Sequence, residues 1–136
     1  MRNLLLLTLL LFSVNGFAFN WLKTGTSTDD LVTFYIDTNS IQKVRNLIYV
    51  WELQDFLEPQ SIGGGLTMNS IVRKVKIGCD EFKSMPVVYE SYSSNMGRGR
   101  LLSSFSAESV GYDKWIWHKP GQTGWLFTKE ACDRAK

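Results

Sequence analysis

Residues 46–56 read Asn-Leu-Ile-Tyr-Val-Trp-Glu-Leu-Gln-Asp-Phe, and their spacing decides the fold class. Leu47, Tyr49, Trp51 and Leu53 fall on one side, with Ile48, Val50, Glu52 and Gln54 on the other. A repeat of two belongs to a β-strand, because successive side chains of an extended chain point to opposite faces. The second face turns polar toward its end. Upstream, Leu31 to Asp37 is β-branched and aromatic and stops at the turn-forming run Asp37-Thr38-Asn39-Ser40. Downstream, Ser70 to Cys79 alternates again, setting Ile71, Arg73, Val75 and Ile77 against Val72, Lys74 and Lys76. Cations on both faces require at least one end of that strand to meet solvent. Between the two strands, Glu58-Pro59-Gln60 and Gly63-Gly64-Gly65 predict a flexible loop.

Three more extended segments follow: Phe82 to Ser93, with Pro86 marking an edge or bulge, then Leu101 to Ser106 and Tyr112 to His118. From Thr123 the repeat lengthens to about 3.6 residues, so that Phe127 and Ala131, flanked by Gly124, Thr128 and Cys132, share one helical face. Thr123 is the expected N-cap, and Lys129, Arg134 and Lys136 sit where cations suit the helix dipole. The class is therefore α+β: a single, mostly antiparallel sheet of about six strands covered by one C-terminal helix. No internal repeat or inter-domain linker interrupts it.

The chain has 136 residues, with 15 Lys+Arg against 13 Asp+Glu, and 44% of it is hydrophobic. That balance excludes a disordered tail and a polytopic membrane protein. Leu4 to Phe12 is apolar apart from Thr8, too short against the roughly 20 residues that span a bilayer. With Arg2 before it and Gly16 and Ala18 after it, the run reads as a signal peptide cut after Ala18. Residues 19–136 then form one exported domain of 118 residues, with 14 basic and 13 acidic side chains. Such a balance gives no argument for a nucleic-acid partner. In an oxidising compartment Cys79 and Cys132 pair most simply as one disulfide. It would pin the helix to the strand ending at Cys79.

Chemistry is hard to assemble from these residues. His118 is the only imidazole, which rules out multi-His metal sites, and two cysteines with one histidine are too few for a closed zinc site. Gly63-Gly64-Gly65 lacks the Lys-Ser/Thr of a phosphate loop. The pairs Asp29-Asp30 and Asp80-Glu81 read as solvated turns, Glu52 and Asp55 as opposite faces of a strand, and Glu90 stands alone. The reading is of a protein that is no enzyme, with no catalytic residue, metal or cofactor. Binding has more material. Tyr89 and Tyr92 precede the glycine-bearing basic tract Ser93 to Arg100, where Met96, Arg98 and Arg100 make a candidate contact surface. The aromatic share is 13%, and Trp21, Trp51, Trp115, Trp117 and Trp125 are expected to be structural, filling the core of a small domain.

The order of these features resembles the surface-adhesin protein E family of Gram-negative bacteria. Tyr35-Ile36-Asp37 with Ser40-Ile41 comes first, then Val50-Trp51-Glu52-Leu53-Gln54-Asp55-Phe56 and Ser70 leading to Cys79. Tyr92, Met96-Gly97-Arg98-Gly99, Trp115, Pro120-Gly121 and Cys132 complete the match across residues 21–132. The resemblance implies one antiparallel sheet with the helix on its concave face, held by the disulfide. It also implies a non-enzymatic adhesin that binds host extracellular-matrix proteins of the vitronectin and laminin type. The adhesin that names the family is a surface lipoprotein, whereas this chain has no cysteine at the cleavage site. A soluble periplasmic inhibitor or scaffolding protein acting by protein contact fits the same residues. Open sheet edges leave a homodimer as a further expectation.

Overall fold

The computed structural model describes residues 18–136; the signal peptide expected over residues 1–18 lies outside them except for Ala18. The strands are β1 (Trp21–Thr26), β2 (Val32–Asp37), β3 (Gln42–Val44), β4 (Leu47–Gly63), β5 (Leu66–Gly78), β6 (Lys83–Tyr92), β7 (Leu101–Ser106) and β8 (Ile116–Trp117). The helix α1 spans Thr123–Arg134. The sheet runs β1-β2-β4-β5-β6-β7, with β3 added to the start of β4 and β8 to the start of β6. All pairings are antiparallel.

The alternation read in residues 46–56 sorts the two faces. Ile48 and Val50 join Ile36, Val75, Ile77, Phe127, Ala131 and Cys132 in one buried cluster beneath α1. Each fully buried aliphatic side chain there contributes about 1.5–3 kcal/mol of transfer free energy. Cys79 and Cys132 form the disulfide, with Cα atoms 5.9 Å apart, and close a loop of 53 residues. In the chain-entropy account that closure stabilises the fold by about 4 kcal/mol. The opposite face carries Leu53 and Val72, also buried, under a covering segment described below.

Four local expectations change. The stretch 58–65 is no flexible loop: β4 and β5 continue as a paired arm past the sheet. Pairing lapses between Asp55 and Gln60, where Pro59 has no N–H to give, and resumes at Gln60 opposite Met68. The arm turns at Gly64 and Gly65, whose φ values of +60° and +71° suit a tight hairpin turn. The strand expected at 112–118 shrinks to Ile116–Trp117. Gln122, not Thr123, is the N-cap, one residue earlier than expected, and its side chain makes no capping bond. Finally, the core is aliphatic. Phe127 is its only aromatic residue among those described, because the sheet's inner positions are β-branched and leave no room for indoles.

Candidate functional site

The tract Ser93–Arg100 leaves the end of β6 and folds back over the face opposite α1. Its conformation depends on residues that accept a positive φ, which Met96 (+62°), Gly97 (+67°) and Gly99 (+79°) supply. Polar side chains of β4 and β5 then hold it. Ser70 Oγ donates to the Ser94 carbonyl at 2.6 Å and accepts from the Gly97 N–H at 2.9 Å. Asp55 Oδ1 accepts from the Met96 N–H at 2.7 Å and from Asn95 Nδ2 at 3.1 Å. Asn95 Nδ2 also reaches the Phe56 carbonyl at 2.8 Å, and Asn69 Nδ2 donates to the Ser93 carbonyl at 2.7 Å. Gly97 lies so close to the sheet that a Cβ there would fall 2.8 Å from Val72 Cγ2. The segment therefore caps Leu53, Val72 and Ser70, each no more than 1% exposed. Arg98 and Arg100 stay exposed on its outer side, while Met96 is half-buried. An ordered backbone presents two exposed cations.

The structure divides the residues expected to act together. Tyr92 shares the face of the capping segment, and its hydroxyl donates to Glu90 Oε2 at 2.7 Å. Burial first, then that carboxylate, push the Tyr92 phenol up to about 12. Tyr89 points to the other face. It pairs in register with Arg73 and Phe105, stacks on the Phe105 ring at 5.3 Å and meets Tyr112 edge-on at 6.3 Å. Two residues three apart on a strand must diverge in this way. Tyr89 thus stands apart from Tyr92, Met96, Arg98 and Arg100.

The tryptophans lie outside the core. Trp21 stacks on Phe19 at 4.8 Å, and Phe19 meets Trp51 edge-on at 6.3 Å, at the margin of the face opposite the helix. Trp125 packs against Phe82. Trp115 lies beneath the ammonium groups of Lys76 and Lys83, at 5.2 and 4.6 Å, and Trp117 is 59% exposed.

Sequence reasoning missed a charge pair on the helix face. Glu52 is 3% exposed, and its Oε1 accepts from Arg73 Nε at 2.6 Å and from Gln54 Nε2 at 2.9 Å. Burial works against the Arg73 charge, but the Glu52 charge and hydrogen bond outweigh it and hold the guanidinium pKa above its usual value. The available signal was Arg73 itself, a cation placed among Ile71, Val75 and Ile77 on an apolar face. The pair floors a cleft of about 560 Å³ whose walls include His118, Phe34, Thr123 and Leu126. His118 Nε2 lies 2.7 Å from Ser84 Oγ, but Ser84 is 5% exposed and its hydroxyl does not open to the cleft. Burial first, then the Arg73 charge, lower the His118 pKa, with Glu52 opposing them. Among the described residues no three His, Cys, Asp or Glu side chains are grouped to hold a metal ion. No helix among them is long and apolar enough to cross a membrane.

Comparison with known proteins agrees with this architecture. A crystal form of Haemophilus influenzae protein E superposes with a TM-score of 0.62 at 13% identity, covering 86% of this chain and 99% of that one. A second, from the non-typeable bacterium, gives 0.57 at 14% identity over 84% of each chain. At those identities the likeness concerns the fold alone. No curated protein matches the chain by sequence. The family model for surface-adhesin protein E matches residues 21–133. The chain therefore belongs to the surface-adhesin protein E family.

Proposed function

We propose that the protein is an exported, non-enzymatic binding module that acts as a surface adhesin. After cleavage behind Ala18, residues 19–136 form its one domain, and its partners are host extracellular-matrix proteins of the vitronectin and laminin type. The observation that carries this reading is the capping segment. Its backbone is fixed by Asp55, Ser70 and Asn69, so Arg98 and Arg100 reach a partner from a pre-ordered frame. A pre-ordered frame lowers the entropy lost on association, and arginine supplies directional donors that a flexible tail would waste. Tyr92 and Met96 complete that contact surface. Tyr89, on the other face, does not contribute to it.

Non-enzymatic action is supported by how the polar groups of the cleft are used. Glu52 is paired with Arg73, and the Ser84 hydroxyl that His118 touches is buried, so neither of these pairs presents an activated nucleophile to the cleft. The test is a pull-down with the disulfide-bonded mature protein from host matrix and, in parallel, from periplasmic extract. Capture of matrix proteins, together with protease sensitivity of the protein on intact cells, is the expected result. Capture from the periplasm alone, with protection on intact cells, would replace the adhesin with a periplasmic inhibitor or scaffold.

A further inference from the structure

Helix α1 is held unequally at its two ends. Its C-terminal half carries Ala131 and Cys132, the latter bonded to Cys79, and Phe127 near its middle is seated in the same core. Its N-terminal end has no side-chain cap and no acidic residue in the first turn. The Gln122 amide is turned away and accepts from the Lys119 N–H at 2.9 Å instead.

Trp125 packs on Phe82, Leu126 and Thr123 lie against Gly25 of β1, and His118 adds the polar hold at this end. Its ring lies against Gly124, where any Cβ would overlap the imidazole Nδ1 and Cε1. Nε2 is bonded to Ser84 Oγ, and the His118 N–H donates to the Phe82 carbonyl at 2.9 Å. The charged groups around the ring are Arg73 from β5 and Glu52 from β4, with Lys119 next along the chain. From β6 comes only the neutral Ser84, and from α1 the positive end of the helix dipole. Of these only Glu52 favours an imidazolium, and that carboxylate already serves Arg73 and Gln54.

We propose that His118 is an acid-sensitive latch. Neutral, it clamps the N-terminal end of α1 to the sheet; protonated, it releases that end while the disulfide keeps the other end in place. Release widens the cleft over Glu52 and Arg73 and further exposes Phe34. The direction follows from the lowered pKa of the clamped imidazole. A group whose proton affinity is lower in the closed form stabilises that form at neutral pH. The stabilisation fades as pH falls below the value of about 6.5 of a free imidazole.

Hydrogen exchange on the full disulfide-bonded protein, between about pH 7.5 and about pH 5, tests this. After correction for intrinsic rates, the amides of residues 125–128 should exchange faster as pH falls below about 6.5, by at most about tenfold per pH unit, and level off once the clamped imidazole itself protonates. The amides around Cys132 should hold their protection. His118→Gln, which cannot titrate, should make the first turn insensitive to pH. If that variant does not fold, NMR titration of His118 in the unaltered protein replaces it, and its midpoint must coincide with the end of the acceleration. No acceleration in the unaltered protein, loosening spread evenly along α1, the same acceleration in His118→Gln, or a His118 midpoint elsewhere would overturn the latch.

Discussion

Gly97→Ala probes the capping segment where its fit to the sheet is tightest. Two costs add. The residue has φ +67°, and a side chain held in that left-handed conformation costs about 1–2 kcal/mol. The new methyl would also lie 2.8 Å from Val72 Cγ2. Val72 is 1% exposed and cannot retreat, so the overlap costs a further 1–3 kcal/mol, roughly what overpacking a core costs. Lifting the segment away relieves the overlap only by breaking the bonds from Ser70 and Asp55 and exposing Leu53 and Val72. The expected loss is therefore about 3 kcal/mol, or about 12 °C in Tm for a domain of this size. Gly111→Ala is the control, since Gly111 has a similar φ of +74° and open space around it. It should lose only the conformational cost, about 1–2 kcal/mol. Urea unfolding of both variants, fitted with a common slope, separates packing from conformation. Equal losses in the two would refute the seating of the segment on Val72.

Three further outcomes follow from the same structure. Glu52→Gln leaves Arg73 charged and unpaired beneath the cleft and should lower stability by about 3–5 kcal/mol, with Glu52→Gln/Arg73→Met recovering much of the loss. Urea midpoints of the single and double variants give the comparison, and equal midpoints would remove the pair from the argument. Thr128 is fully buried in α1 and its hydroxyl has no hydrogen-bond partner among the described residues, so Thr128→Val should raise stability by about 1 kcal/mol. A fall in Tm would show that the hydroxyl has a partner after all. Because the Tyr92 phenol is pushed up to about 12, its contribution is complete below the usual tyrosine value and lost as pH rises through about 12. Ultraviolet titration of the protein against Tyr92→Phe should assign that late ionisation to Tyr92.

Much of the fold was legible because it rests on periodicity. The alternation of Leu47 to Phe56 placed β4, and the helical spacing of Phe127, Thr128, Ala131 and Cys132 named the buried face of α1. The disulfide was legible from compartment and count. β1 was not, because Trp-Leu-Lys-Thr-Gly-Thr carries no alternation, and its pairing with β2 supplies what local preference lacks. The arm beyond Asp55 was obscured by Pro59 and three glycines, which punctuate a chain locally yet here only shape a hairpin. The candidate site was half legible. A basic glycine tract marks a loop, but nothing in one sequence shows that Ser70 and Asp55 reach across to hold it. The separation of Tyr89 from Tyr92 was available, since three residues along a strand reverse the face. The role of Glu52 was hidden because a polar residue near a strand end reads as exposed until Arg73 is seen opposite it.

The proposed function rests on the pinned segment presenting Arg98 and Arg100 to a matrix protein. The most direct measurement is equilibrium binding of the mature disulfide-bonded protein and of Arg98→Ala/Arg100→Ala to immobilised vitronectin and laminin, with Tm taken on the same samples. Both arginines are exposed, so Tm should be unchanged within about 2 °C, the scatter of about 0.5 kcal/mol expected of surface substitutions. Affinity should fall at least tenfold, the loss of about 1.4 kcal/mol or more expected when arginine anchors are truncated. Undiminished binding by the double variant at equal Tm would contradict the claim.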